Sequence, residues 1–304
     1  MKKGRDPIKL AGVLAAIPTP NLPGTLEPDY SGLLELLDFA SDGGVDSICL
    51  MGSTGEFLNY AIGDRQRALY LAAKRSRVPL VVGVGHSTFR GTLELAEDAV
   101  GNGASALLLM PPYFYPYSQT EVEAFCRAFA EEMGTSLPIL LYNIPQFTSP
   151  IAFDTARRLL DTGRFAGIKD SSGDWNYFSQ LLSLKAERHF ALFAGHDAIA
   201  LRALQAGADG VLSGCASAIP EVLSGLYKAV KSGDAAGAER LQARLNEFIQ
   251  WIEQFPPPVG IKRALQVRKQ QGGEPASPLS PEAATRLDEF AAWLKPWLSG
   301  AVSS

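Results

Sequence analysis

Gly101-Asn102-Gly103-Ala104-Ser105-Ala106-Leu107-Leu108-Leu109-Met110-Pro111-Pro112 is the stretch that decides the fold. A glycine-rich stop leads into an unbroken apolar run, which two prolines close. An apolar run without polar alternation is what a strand buried on both faces requires, and such strands belong to parallel sheets covered by helices. The preceding glycines supply the left-handed residue on which a helix ends. Gly43-Gly44 and Gly207-Ala208 repeat the same punctuation before an earlier and a later apolar run.

Working outward, strands are expected over 12–17, 46–51, 79–84, 105–110, 138–142, 165–169, 190–194 and 209–213. They recur at intervals of about thirty residues, the length of a strand–helix–strand unit. Amphipathic stretches lie between them, among them 30–40, 65–74, 92–100 and 121–132. Eight strands with intervening helices match an α/β fold of the (β/α)8 barrel type. The rival is a doubly wound open sheet, but no GxGxxG follows the first strand. After Ile219-Pro220 the pattern is helical only, over 221–231, 235–254, 260–270 and 281–298. The expected organisation is a barrel over 1–225 and a C-terminal helical extension over 226–304 packed on it, forming one functional unit.

Bulk composition narrows the function classes. The 304 residues are 46% hydrophobic and 20% charged, too apolar for disorder and enough for a large core. A net charge of −4 argues against nucleic acid or an anionic membrane as partner. The three cysteines, Cys49, Cys126 and Cys215, form neither a disulfide framework nor a CxxC metal pattern, so a reducing cytoplasm is expected. The histidines, His86, His189 and His196, lack metal-ligand spacing, and no metal is expected. Lys2, Lys3 and Arg5 make a basic N-terminus with no apolar segment after it, so a secretory signal is not expected. Apolar runs are too short and broken to span a membrane.

Reactive groups of such barrels sit at the C-terminal ends of strands, on the loops that follow. Lys169 ends the apolar strand Phe165-Ala166-Gly167-Ile168, where a surface lysine has no reason to be. Burying an ammonium is costly, and a lysine amine with its free electron pair is the nucleophile that attacks ketones. The competing reading is a lysine reaching the barrel mouth or paired with Asp170. Gly52-Ser53-Thr54-Gly55-Glu56 offers two hydroxyls and exposed N–H groups that can hold a carboxylate, or is simply a capped glycine turn. Tyr142 ends its strand with a phenol that is either a proton shuttle or a buried structural group. His86 and His196 are acid–base candidates, although loop histidines are more often structural.

Together GSTGE at 52–56, YNIP at 142–145, GIKDSSGD at 167–174 and AGADG at 206–210 resemble the dihydrodipicolinate synthase/N-acetylneuraminate lyase family, across about the whole barrel. The resemblance implies a class I, Schiff-base pyruvate-dependent aldolase that needs no cofactor. It makes Lys169 the imine-forming lysine and Tyr142 the proton-transferring tyrosine. Ser53 and Thr54, with Gly52, would hold the carboxylate of the 2-oxo acid, and the backbone of Leu212 would contact pyruvate. It also implies a homotetramer.

Two positions depart from the dihydrodipicolinate synthases. Phe147 stands where they carry an arginine for the incoming aldehyde's carboxylate, and Phe114 stands where they carry a relay tyrosine. Tyr113 or Tyr115 is the candidate substitute for that phenol. Sialic acid lyases place a glutamate after the aspartate of the Gly-x-Asp loop, but Ala198 follows Asp197 here. The remaining resemblance is to aldolases of 2-keto-3-deoxy sugar acids and 4-hydroxy-2-oxo acids, with Ser171, His196 and Asp197 contacting a hydroxylated tail. Alternatives are dihydrodipicolinate-type condensation, sugar-acid dehydration through the same imine, and a non-catalytic barrel that binds a 2-oxo acid.

Overall fold

The computed structural model describes residues 10–301; the basic N-terminus discussed above lies outside them. Eight parallel strands close into a barrel in chain order: β1 (Gly12–Ala16), β2 (Ser47–Leu50), β3 (Leu80–Gly83), β4 (Ala106–Leu109), β5 (Ile139–Asn143), β6 (Gly167–Asp170), β7 (Ala191–Ala194) and β8 (Gly210–Ser213). β8 pairs back onto β1, with Leu212 opposite Leu14. Every strand residue is buried, which is why the runs show no polar alternation.

The outer ring consists of α1 (Tyr30–Asp42), α2 (Ile62–Arg75), α3 (Phe89–Asn102), α4 (Gln119–Met133), α5 (Phe153–Leu160), α6 (Trp175–Glu187), α7 (Ala200–Gln205), α8 (Cys215–Ala218) and α9 (Pro220–Ser232). Gly44, Gly103 and Gly207 adopt φ of 85°, 83° and 104°, the left-handed geometry that the helix-to-strand turns require. α4 begins with a capping box between Ser118 and Glu121. α7 and α8 are too short, at six and four residues, to show a helical period in the sequence.

Three more helices follow: α10 (Ala235–Ile252), α11 (Val259–Val267) and α12 (Pro281–Ala301). The expected helix over 260–270 stops early, because Lys269 turns left-handed at φ 60° without a glycine to announce it. Phe248, Trp251, Phe290, Trp293 and Trp297 stack between α10 and α12. Arg244 lies 4.4 Å over the Trp297 ring and donates to its carbonyl at 2.7 Å. α9 runs unbroken through residue 225.

The C-terminal helices are tied to the barrel by polar contacts. Arg268 donates to Ala218 O at 2.8 Å and Glu221 Oε1 at 2.6 Å. Lys262 reaches Glu56, and Gln242 donates to Asp197 O at 3.2 Å. Two of these contacts end on loops at the C-terminal mouth of the barrel, so the extension helps shape that mouth.

Candidate active site

The sheet register assembles the centre of the site. In the β5–β6 pairing Tyr142 lies opposite Lys169 and Asn143 opposite Asp170. Strand side chains alternate between faces, so the pairs separate. Tyr142 and Lys169 share one face, with Lys169 Nζ 4.0 Å from the Tyr142 ring centroid. On the other face Asn143 Nδ2 donates to Asp170 Oδ1 at 2.7 Å, and Ser172 donates to Asp170 through both its N and Oγ. Asp170 is therefore not the partner of Lys169. Among the described residues no carboxylate lies within ion-pairing distance of Nζ, although Lys169 is only 5% exposed. Burial pushes the Asp170 carboxyl upward, and its hydrogen bonds oppose that shift.

Glycine at 195, on the end of β7, leaves the room Lys169 occupies. A Cβ there would stand 2.6 Å from Lys169 Cε and 2.2 Å from Ser171 Oγ. Ser171 is buried and donates its backbone N–H to Asn143 O at 2.8 Å. The β2 loop arrives from the opposite side of the mouth. Ser53 Oγ is 3.0 Å from Tyr142 Oη, so the phenol links the loop hydroxyl to the lysine. Thr54 rests against Gly214 at the end of β8, 3.0 Å from where a Cβ on that glycine would lie. Leu212, also on β8, is fully buried.

Contacts that no sequence pattern announced hold this loop in place. Thr19 Oγ1 donates to Gly55 O at 2.9 Å, and Tyr60 Oη donates to Thr19 O at 3.0 Å. Glu56, left-handed at φ 52°, forms a 2.5 Å ion pair with buried Lys262 of α11. Lys262 Nζ also donates to Glu274 O at 2.8 Å. Desolvation raises the Glu56 pKa while Lys262 pulls it back. Arg65 of α2, buried as well, donates to Gly85 O at 2.8 Å and Gly83 O at 3.0 Å, and its pKa is lowered by burial to about 10. The signal for Lys262 was a lysine among the apolar residues of a buried helix face.

His196 and Asp197 follow β7. Burial pushes the Asp197 carboxyl upward, opposed by the nearby Ser213, Cys215, His196 and Lys169. His196 Nδ1 is buried without a hydrogen-bond partner. His86 is held in the turn that opens α3, where its Nδ1 accepts from Thr88 N at 3.1 Å. The cap of that helix is Thr88, whose side chain accepts from Gly91 N at 3.1 Å.

A cleft of about 320 Å³ opens above Ser53, lined by the loops after β2, β4 and β5 and by C-terminal residues around Val259 and Leu279. Phe147, 54% exposed, stands at its edge. Tyr113 also lines it, hydrogen-bonded to Ser87 and edge-on to Phe57 at 5.8 Å. Phe114 and Tyr115 do not join this cluster within one chain. They pack on each other at 4.9 Å and are 85% and 66% exposed, with Phe114 left-handed at φ 77°. Of the two candidate substitutes for the absent relay phenol, Tyr113 is the one beside the cleft.

Comparison with known proteins places this geometry. A 4-hydroxy-tetrahydrodipicolinate synthase of Methanococcoides burtonii is 30% identical over 286 residues, covering 93% of this chain and 97% of that one. The crystal structure of a prophage protein from E. coli K12, of the dihydrodipicolinic acid synthase family and in complex with pyruvate, is 26% identical. It superposes with a TM-score of 0.86 over 94% of this chain and 98% of that one. A 2-keto 3-deoxygluconate aldolase from Picrophilus torridus is 26% identical, with a TM-score of 0.81 over 88% of this chain and 96% of its own. The model of the dihydrodipicolinate synthetase family matches residues 9–296. With nearly the whole chain matched, the protein belongs to the dihydrodipicolinate synthetase family and is a lyase of its aldolase type.

Proposed function

We propose that the protein cleaves or forms the C3–C4 bond of a 4-hydroxy-2-oxo acid, with pyruvate as one half, through an imine on Lys169. The observation that carries this reading is the line Lys169–Tyr142–Ser53. A buried amine lies 4.0 Å from a phenol ring whose hydroxyl is 3.0 Å from a serine at the floor of a cleft. The ring face also favours a cationic nitrogen, which the protonated imine provides.

The amine attacks the C2 ketone, and the carbinolamine loses one water to give the imine. When C3–C4 breaks, its electron pair moves into the protonated imine, and the C4 hydroxyl proton passes to the Tyr142–Ser53 chain. An aldehyde leaves. The enamine takes a proton at C3, one water hydrolyses the imine, and pyruvate and free Lys169 are returned. In this reading Gly52, Ser53 and Thr54 hold the carboxylate, with the Leu212 backbone opposite. Ser171, His196 and Asp197 are the groups to meet hydroxyls near C4. The 2-keto-3-deoxy sugar acids are the hydroxylated members of this substrate class, and likeness to the Picrophilus aldolase supports them. Dehydration of such acids through the same imine is the neighbouring outcome, distinguished by a product that keeps the whole carbon skeleton.

A dihydrodipicolinate-type condensation is the second reading, favoured by the name of the Methanococcoides relative. Phe147 weighs against it, because a phenyl ring at the cleft cannot bind a carboxylate as an arginine does. A non-catalytic 2-oxo acid-binding barrel would bind the ligand and release no product. A cytoplasmic homotetramer belongs to the same proposal, supported by the family and by cysteines that are free and buried. Borohydride reduction in the presence of pyruvate, followed by peptide mass spectrometry, tests the imine. The expected result is a reduced pyruvate adduct on Lys169. Lys169→Ala is expected to stay folded, form no adduct and lose turnover. An adduct elsewhere, or turnover by that variant, refutes the mechanism.

A further inference from the structure

The walls of the cleft above Ser53 are mostly carbon. Phe57, Met110, Tyr113, Phe147, Val259 and Leu279 supply most of them. Ser53, Glu56, Asn59, Thr148 and Ser277 are the polar residues beside them, and Glu56 and Thr148 are engaged elsewhere. Glu56 is held by Lys262, and Thr148 Oγ1 donates to Ile144 O and Ser149 O, each at 3.2 Å. A tail rich in hydroxyls would leave water for a surface offering few replacement hydrogen bonds, and each unpaired polar group has a cost. An apolar tail gains from the same walls, and an aromatic one can meet Phe57, Tyr113 and Phe147 edge to face.

We propose that the protein's own substrate carries an apolar, uncharged group on C4, seated in this cleft, and that Phe147 selects for it. The ligand class is the aldol adduct of pyruvate with an aromatic or branched aliphatic aldehyde. This rests on the Lys169 imine reading and narrows its 4-hydroxy-2-oxo acids to those with an apolar tail, in place of the 2-keto-3-deoxy sugar acids. The polar corner at Lys169, Ser53 and Asp197 handles C1 to C4, while the apolar cleft takes everything beyond.

The test measures pyruvate release from three adducts of pyruvate, made with benzaldehyde, glyceraldehyde and glyoxylate. The benzaldehyde adduct is expected to have a kcat/KM at least about tenfold above the glyceraldehyde adduct, the low end of what one buried methylene group contributes. In Phe147→Arg the ratio of benzaldehyde adduct to glyoxylate adduct is expected to fall by about tenfold or more. Equal or better turnover of the glyceraldehyde adduct, no turnover of the benzaldehyde adduct, or an unchanged ratio in the variant overturns the proposal. Borohydride trapping of pyruvate on the unmodified protein separates the two claims. No adduct sinks the imine reading itself, whereas an adduct without apolar preference sinks only this inference.

Discussion

Gly195→Ala is the substitution through which the structure makes its sharpest demand on the active site. The glycine is outside the left-handed region, so an alanine meets no backbone strain and the whole effect is steric. Its new Cβ would stand 2.6 Å from Lys169 Cε, 2.2 Å from Ser171 Oγ and 3.1 Å from Asp170 O. Restoring ordinary van der Waals contact requires the lysine to move by about 1 Å, and a displacement of about 1 Å at a reacting group costs about a hundredfold in rate. Overpacking of this kind costs about 1–3 kcal/mol of stability. The expected outcome is a folded protein with a modestly lower Tm, in which the rate of borohydride-trapped imine and the turnover both fall about a hundredfold. Gly101→Ala in α3 is the control, since nothing lies within 4 Å of its new Cβ. It is expected to keep full activity and gain up to about 1 kcal/mol. Gly195→Ala with an unchanged trapping rate refutes the placement of Lys169 against β7.

Lys262→Met leaves Glu56 buried without its cation, at an expected cost of about 3–5 kcal/mol by denaturant unfolding. The raised Glu56 pKa sets the pH dependence. Where the folded state holds the proton more tightly than the unfolded state, stability falls as pH rises from the unfolded pKa through the folded one. The deficit of the variant should therefore shrink from pH 8 toward pH 5, and a deficit independent of pH contradicts the ion pair. Arg65→Met removes both donors to Gly83 O and Gly85 O, an expected loss of about 2–5 kcal/mol by calorimetry. Stability equal to the parent would mean that the guanidinium does not clamp this turn. Asn143→Leu strips Asp170 of a 2.7 Å donor and Ile151 N of its acceptor at 3.0 Å, costing about 2–5 kcal/mol. This deficit should grow with pH as Asp170 ionises, and one that shrinks instead would show the carboxyl to be solvated.

The barrel was legible in the sequence because parallel strands buried on both faces leave unbroken apolar runs, and left-handed helix ends need glycine. Gly44, Gly103 and Gly207 carried that signal before any coordinate. Lys169 and Tyr142 were legible for a related reason, since a polar group at the end of a buried strand stands out. Lys269 shows the limit: it ends α11 in a left-handed turn that its residue type does not advertise.

What the chain order could not give is which side chains share a face and which distant segments meet. The β5–β6 register put Lys169 against Tyr142 and sent Asp170 to Asn143, resolving an ambiguity that neighbouring residues in sequence leave open. The Glu56–Lys262 pair and the apolar cleft exist only once α11 and the segment before α12 fold over the β2 loop. Local pattern reports burial and periodicity, which are properties of a short stretch of chain. Contacts between residues far apart depend on closure of the whole barrel, and so Lys169 and Tyr142 stood out in the sequence while the shape of the cleft above Ser53 was decided by tertiary packing.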